Sequence, residues 1–344
     1  MNKLYIIAGP TASGKTAVAV ELAKLVGGEV VSADSMQIYE GMDIGTAKPS
    51  TREREGIPHH MIDIVKPDEP YSAALYQQHA RNVIAEIHAR GRMPILCGGT
   101  GFYINAVIYD VNFAKDDEAP TPDTSVSCEA GPSMRPASNY CEAEPPMITP
   151  NQREYPTSRE HFADLAAIHG SEKLHAMLQE ADPAAAMAIH PNNIKRVSRA
   201  LSYIHTTGLL FSEYNTAQKV QPPVYDNVFC RLSVDRPVLY ERINRRALAM
   251  FDAGLVDEVA GLMASGCHPG LVSMQGIGYK EVALYVQGQC TLEEAIEAVK
   301  QNSRRYAKRQ ETWFRNQNPH ALAIPAQGQA AEIAQRVLDE VDNG

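Results

Sequence analysis

The sequence predicts an α/β fold, a parallel sheet flanked by helices, and three observations predict it. Short apolar runs recur at 4–8, 29–32 and 93–97, and the first and second of these frame a run of helix formers. Each run ends in glycine or small polar residues rather than in a hairpin turn, as strands of an open parallel sheet do where ligands collect. Between the first run and its helix stands Gly9-Pro10-Thr11-Ala12-Ser13-Gly14-Lys15-Thr16, which fits G-x-x-x-x-G-K-[ST] at every position.

That motif makes the sheet P-loop NTPase-like. Its glycines let backbone N–H groups close around an anion at a helix N-terminus. Lys15 adds a point charge, and Thr16 offers a hydroxyl to a phosphate-bound Mg²⁺. By itself the loop suits ATP-binding and a kinase as well as any other phosphate chemistry. The helix after it, Ala17 to Val26, stops at Gly27-Gly28.

The second strand, from Glu29, ends in Asp34-Ser35, which sheet topology brings near the phosphate loop. Asp34 is either a general base, an outer partner of Mg²⁺, or the cap of a turn. Residues 37–60 are irregular, with Thr46 and Lys48 able to reach an anion and His59-His60 read as a structural or solvated turn. A helix from Ser72 to about Arg90 places Tyr76, Ala80, Val83 or Ile84, and Ile87 on one face. The strand after it runs into Gly98-Gly99-Thr100-Gly101, where Thr100 either donates to a phosphate or completes a tight turn.

Residues 116–157 hold many of the prolines and no apolar period, which reads as a mobile or disordered insert. Helical patterns then resume, with Asp182-Pro183 as cap and first position of one helix. Another begins at Pro191-Asn192-Asn193 and gathers Lys195, Arg196 and Arg199, either a solvated basic face or a phosphate-contacting one. A last strand at 227–232 precedes a helix bearing Arg242, Arg245 and Arg246, placed to close over a diphosphate. Thr291 and Glu294 form a capping box for a helix running to about Arg315. Lys300, Arg304 and Lys308 recur on it every fourth residue, with Arg305 and Arg309 beside them and Tyr306, Gln310 and Trp313 on another stripe. A basic row backed by aromatics and glutamine is the composition of a nucleic-acid surface, unless Tyr306 and Trp313 belong to the core.

The whole chain of 344 residues carries a formal charge of −9, so a nucleic-acid partner requires such a local basic surface. No apolar stretch reaches membrane-spanning length and no leader pattern opens the chain, which predicts a cytoplasmic protein without a membrane partner. Six scattered cysteines without a C-x-x-C pair predict free thiols and no zinc site.

With these residues in view, the chain resembles the tRNA dimethylallyltransferases, or isopentenyl-tRNA transferases. The matching segments are GPTASGKT (9–16), SADSMQIY (32–39), GTAKP (45–49), PHHMID (58–63), GGTGFY (98–103), DPAAAMAIHPNNIKRVSRAL (182–201), DRPVLYERINRRALAMFDAGLVDEV (235–259), GIGYKE (276–281) and RRYAKRQETWFR (304–315). They cover nearly the whole chain apart from the Pro-rich insert and about the last thirty residues.

The resemblance implies transfer of a dimethylallyl group from dimethylallyl diphosphate to the exocyclic amine of the adenosine 3′ of the tRNA anticodon, with Mg²⁺ and release of diphosphate. It implies that Lys15, Thr16, Thr100 and Arg246 hold the leaving group and that Asp34 accepts the amine proton. Asp34, Ser35, Met36 and Gln37 would line the adenine pocket. Lys195, Arg196, Val197, Ser198 and Arg199 would touch the tRNA anticodon stem-loop, as would Gln275, Gly276, Ile277, Gly278, Tyr279 and Lys280, and Lys308, Arg309, Gln310, Trp313 and Arg315. It also implies a smaller inserted helical lid domain. The expected division is a core of 1–113 and 190–320, a lid of 114–189 and a tail of 321–344, working as a monomer. The insert displaces the lid's register and makes Arg159 the counterpart of a lid arginine that meets tRNA. A P-loop small-molecule or nucleotide kinase explains residues 1–105 but leaves the basic helix idle, as does an isopentenyltransferase acting on free adenine nucleotides. An RNA-binding nucleotide switch is the remaining alternative.

Overall fold

The computed structural model describes residues 2–111, 113, 159–219 and 222–342; the 116–157 insert, with its expected mobility, lies outside the described residues. The chain divides into two compact units, Met1–Ala119 with Gln221–Gly344, and Pro120–Val220.

The first unit is built on a parallel sheet of β1 (Lys3–Ala8), β2 (Gly28–Ala33), β3 (His59–His60), β4 (Met93–Gly98), β5 (Asp226–Ser233) and β6 (Leu322–Pro325), ordered β3-β2-β4-β1-β5-β6. Helices α1 (Lys15–Val26), α2 (Thr51–Arg54), α3 (Ala73–Ala89) and α4 (Gly101–Ile108) connect or follow the first four strands. The second unit holds α5 (Arg159–His169), α6 (Ser171–Ala181), α7 (Pro183–Ala188), α8 (Ile194–Thr207) and α9 (Phe211–Lys219). The chain returns through β5 to α10 (Arg236–Asp252), α11 (Leu255–Ala264), α12 (Tyr279–Val286), α13 (Leu292–Gln317) and, after β6, α14 (Ala330–Asp342).

Alternation along β1 explains why the sheet is covered on both faces. Leu4, Ile6 and Ala8 enter one core with Tyr76 and Ile84 of α3, Ile104 of α4 and Phe314 of α13. Tyr5 and Ile7 enter the other with Val18 and Leu22 of α1 and Ile333 and Val337 of α14. Each fully buried Leu or Ile contributes about 2 kcal/mol, so a strand feeding both cores is fixed in register. A third cluster fastens the irregular segment after β2: Ile38, Tyr39 and Met42 pack with Leu255, Val259, Tyr279 and Val282. Glu258 completes it, accepting the backbone N–H groups of Asp43 (3.0 Å), Ile44 (2.7 Å) and Gly45 (3.1 Å).

Three expectations change here. Residues 321–344 are not a tail: β6 pairs with β5, Cys230 opposite Leu322, and α14 covers α1. A four-residue edge strand is too short to show a period in sequence. The second unit continues past residue 190, because α8 packs on α5 and α6 and carries the buried Val197 and Leu201. His59-His60 is an edge strand rather than a turn, and His60 Nε2 lies 2.7 Å from Glu29 Oε2.

Candidate active site

The register sets the site. Ala8 and Ala33 both align with Gly98, and Ala8 also aligns with Arg231, so the segments leaving β1, β2, β4 and β5 emerge on one edge. The approach is close enough to require glycine. A Cβ at Gly98 would fall 2.1 Å from the Ala33 carbonyl oxygen.

The phosphate loop turns through a left-handed Gly14 (φ 88°) at the N-cap of α1, where no side chain caps the helix amides. Ala12 shares the left-handed region (φ 62°), which costs a non-glycine residue about 1 kcal/mol. Ser13 Oγ is buried without a hydrogen-bond partner among the described residues. Lys15 Nζ donates to the Pro10 carbonyl at 3.0 Å. Burial lowers the pKa of this ammonium, Arg246 lowers it further, and Cys97 and Asp34 oppose the shift. A cationic side chain held short of solvent is poised to gain from an arriving anion.

Asp34 follows β2, and its Oδ1 accepts the Met36 N–H at 2.9 Å. It is therefore a turn cap that leaves the carboxylate partly exposed beside the loop. Thr100 bridges toward it: its hydroxyl accepts the Ser35 N–H (3.1 Å) and donates to Ser35 Oγ (3.3 Å). Arg246 arrives from α10, and burial lowers its pKa while Asp34 and Glu53 raise it. Tyr306 arrives from α13; burial pushes its phenol up to about 12, with Asp34 adding to the rise.

Asp34, Arg246 and Tyr306 meet at a cavity of about 320 Å³, whose polar lining also includes Thr11, Lys280 and Arg309; Lys15, Thr16 and Thr100 are outside that lining. The cavity's apolar lining comes from Met36, Ile243, Ala247, Met250 and Val299. The one cavity thus offers cations and a proton acceptor to a charged group and apolar side chains to a short hydrocarbon. Tyr306, read in the sequence only as part of a helix stripe, joins the site, as do Met250 and Val299.

The other expected site residues divide between this cavity and places away from it. Val197 and Ser198 are buried in the second unit at 0% and 2% exposure, which keeps their side chains from an RNA. Lys195 and Arg196 are exposed on α8, and the Arg199 guanidinium lies 6.0 Å from the Phe211 ring centroid. Arg159 opens α5. Tyr279 is buried under Gly45 and donates to Glu258 Oε1 at 2.6 Å. Gln275, though exposed, lines the cavity with Gly276, Ile277, Tyr279 and Lys280, and Gly278 precedes α12. Gln37 turns inward and accepts from Ser32 Oγ at 3.0 Å. Thr46 donates to Met42 O, and Lys48 is taken up by Tyr39 O, Asp43 and Asp63, so neither reaches for an anion. Of the three α10 arginines, Arg246 alone lines the cavity.

On α13, Lys300 pairs with Glu297 and Arg304 donates to Asn244 Oδ1, which removes both from the basic row. Arg305, Lys308 and Arg309 remain exposed and line an open groove of about 550 Å³ with Thr312, Trp313 and Asn316. Arg315 is exposed beyond it. Trp313 is half-buried; its ring lies over Gly101, where a Cβ would come within 2.1 Å. Gln310 is buried rather than RNA-facing.

Among the described residues no cluster of three His, Cys, Asp or Glu can hold a metal by itself. Thr16, partly exposed in the first turn of α1, fits a Mg²⁺ held mainly by phosphate oxygens and water. No helix among the described residues is long and apolar enough to cross a membrane.

Comparison with known proteins agrees with this geometry. The family model described as IPP transferase matches residues 37–317. A tRNA dimethylallyltransferase of Bacillus pumilus is 46% identical over 91% of this chain and 86% of its own length. That of Bacillus subtilis is 45% identical over 91% and 88%. A solved tRNA isopentenylpyrophosphate transferase of Bacillus halodurans, 40% identical, superposes with a TM-score of 0.66 over 100% of this chain and 98% of that one. A eukaryotic dimethylallyltransferase described as acting on tRNA reaches 0.76 at 26% identity, over 100% and 80% of the two chains. Similarity on this scale extends far beyond a shared phosphate loop, and the chain belongs to the IPP transferase family, with the tRNA dimethylallyltransferases as its relatives.

Proposed function

We propose that this protein transfers a dimethylallyl group from dimethylallyl diphosphate to the exocyclic amine of the adenosine 3′ of a tRNA anticodon, and releases diphosphate. The observation that carries the reading is a cavity lined both by Asp34, Arg246 and the phosphate-loop residue Thr11 and by apolar side chains of α10 and α13.

The diphosphate occupies the loop, where Lys15 exchanges the Pro10 carbonyl for a phosphate oxygen and Arg246 closes from α10. Thr16 and water would hold Mg²⁺ against the diphosphate, where the ion supplies neutralising charge as the leaving group departs. Thr100 keeps Ser35 and the turn around Asp34 in place. The allylic C–O bond breaks with its electron pair passing to the diphosphate. The adenine nitrogen forms the new C–N bond, and its proton passes to the Asp34 carboxylate. The five-carbon chain lies against Ile243, Ala247 and Met250. Bringing the adenine in requires extruding it from the anticodon loop, at about a few kcal/mol. Phosphate contacts along Arg305, Lys308, Arg309 and Arg315, with Trp313 as a stacking platform, repay that cost. Lys195, Arg196, Arg199 and Arg159 of the second unit add further contacts to the same RNA. The chain works as a monomer in the cytoplasm.

Incubating the protein with labelled dimethylallyl diphosphate, tRNA, free adenine nucleotides and ATP tests the reading. Label in tRNA is the expected result. Label in free nucleotide alone, or ATP consumption without label transfer, contradicts it.

A further inference from the structure

Gln310 sits among basic residues on α13, yet it is 6% exposed and commits both ends of its amide to the phosphate-binding edge. Its Oε1 accepts the Thr11 N–H of the phosphate loop at 2.8 Å. Its Nε2 donates to the Gly99 carbonyl of the second glycine turn, also at 2.8 Å. The seat is specific: a Cβ at residue 99 would lie 2.3 Å from Nε2. Glutamine alone among residues of this length presents one acceptor and one donor in that orientation. The loop after β1 and the turn after β4 are thus spanned by a side chain that belongs to neither.

The same helix has two other working stripes. Tyr306 and Arg309 line the cavity, and Arg305, Lys308 and Arg309 line the outer groove. An α-helix moves as a rigid rod over a few turns, so load on the outer stripe is felt at the amide on the inner one. We propose that Gln310 is a positioning residue that fixes the opening of the phosphate loop from α13 and so couples diphosphate binding to RNA docking on that helix. The inference rests on the dimethylallyl-transfer reading for the identity of the two ligands. Coupling of this kind is reciprocal: whichever ligand binds first raises the affinity for the other by the same factor.

The test titrates inorganic diphosphate with Mg²⁺ into the protein, alone and saturated with a tRNA anticodon stem-loop, for the wild type, Gln310→Leu and Gln310→Glu. Wild type should bind diphosphate at least about fivefold more tightly when RNA is present. Gln310→Leu should lose about fivefold to tenfold in diphosphate affinity and bring the RNA enhancement close to one. Its stem-loop affinity and salt dependence should stay unchanged. Gln310→Glu keeps the acceptor for Thr11 but not the donor to Gly99, and should fall between the two; it also serves if the leucine variant fails to fold. An enhancement that survives in Gln310→Leu, or RNA affinity that falls with diphosphate affinity, overturns the proposal. So does an absence of enhancement in the wild type. Label transfer measured in the same wild-type sample separates the two claims: transfer without enhancement removes the brace, and enhancement without transfer removes the reaction.

Discussion

At the scale of single residues, Asp34 and Lys15 carry the chemistry and can be separated by what each variant keeps. Asp34→Asn retains an oxygen for the Met36 N–H and so preserves the turn. It removes the proton acceptor, and kcat should fall by about 10² to 10⁴ with tRNA affinity nearly unchanged. Equal losses in both would reassign Asp34 to binding. Lys15 makes a pH prediction. Its ammonium form attracts diphosphate and is the form present below its pKa, which burial lowers from 10.5. Diphosphate affinity should therefore fall as pH rises through the Lys15 pKa, beginning earlier than for an ordinary lysine. A titration of diphosphate affinity against pH should show this alkaline fall in the wild type and lose it in Lys15→Met. The same fall in both would place the titrating group elsewhere.

At the scale of elements, α13 decides most. Arg305 and Arg309 are its exposed cations at the groove, and replacing both by Ala should weaken tRNA binding and reduce the salt slope by about 1.5. Stability should change by less than about 1 kcal/mol, since both are solvent-facing. An unchanged slope would make the row a solvated face. The helix itself was legible in sequence: the Thr291–Glu294 capping box forms as expected, and the end at Gln317 lies two residues beyond the expected one. Its inner stripe was not. Gln310 read as part of an RNA face, and Tyr306 as either that face or core, because a polar stripe on a basic helix looks solvent-facing. What turns it inward is the absence of side chains at Gly99 and Gly101, two hundred residues away, where Gln310 and Trp313 take the vacated space. Glu258 was equally hidden. A lone carboxylate on α11 carries no local sign that three backbone amides of the 43–45 segment converge on it. The strands β1, β2, β4 and β5 were readable because each is a short apolar run with a polar end. β6 and the packing of α14 were not, because four residues at a sheet edge carry too little pattern.

At the scale of the whole molecule, the parallel sheet brings the ends of β1, β2 and β4 to one edge, and the helices after β5 roof it. A phosphate loop shared with many kinases there meets, through Thr11, a cavity lined by a carboxylate and apolar side chains. That juxtaposition, with family membership, moves the nucleotide from donor to acceptor. The most direct measurement is a crystal structure of the protein with a non-ionising thio analogue of dimethylallyl diphosphate and a tRNA anticodon stem-loop. The account predicts diphosphate in the Gly9–Thr16 loop against Lys15, the prenyl chain on Ile243 and Met250, and the adenine amine within about 3 Å of Asp34. An adenosine phosphate in the loop, or an adenine amine far from Asp34, would contradict it.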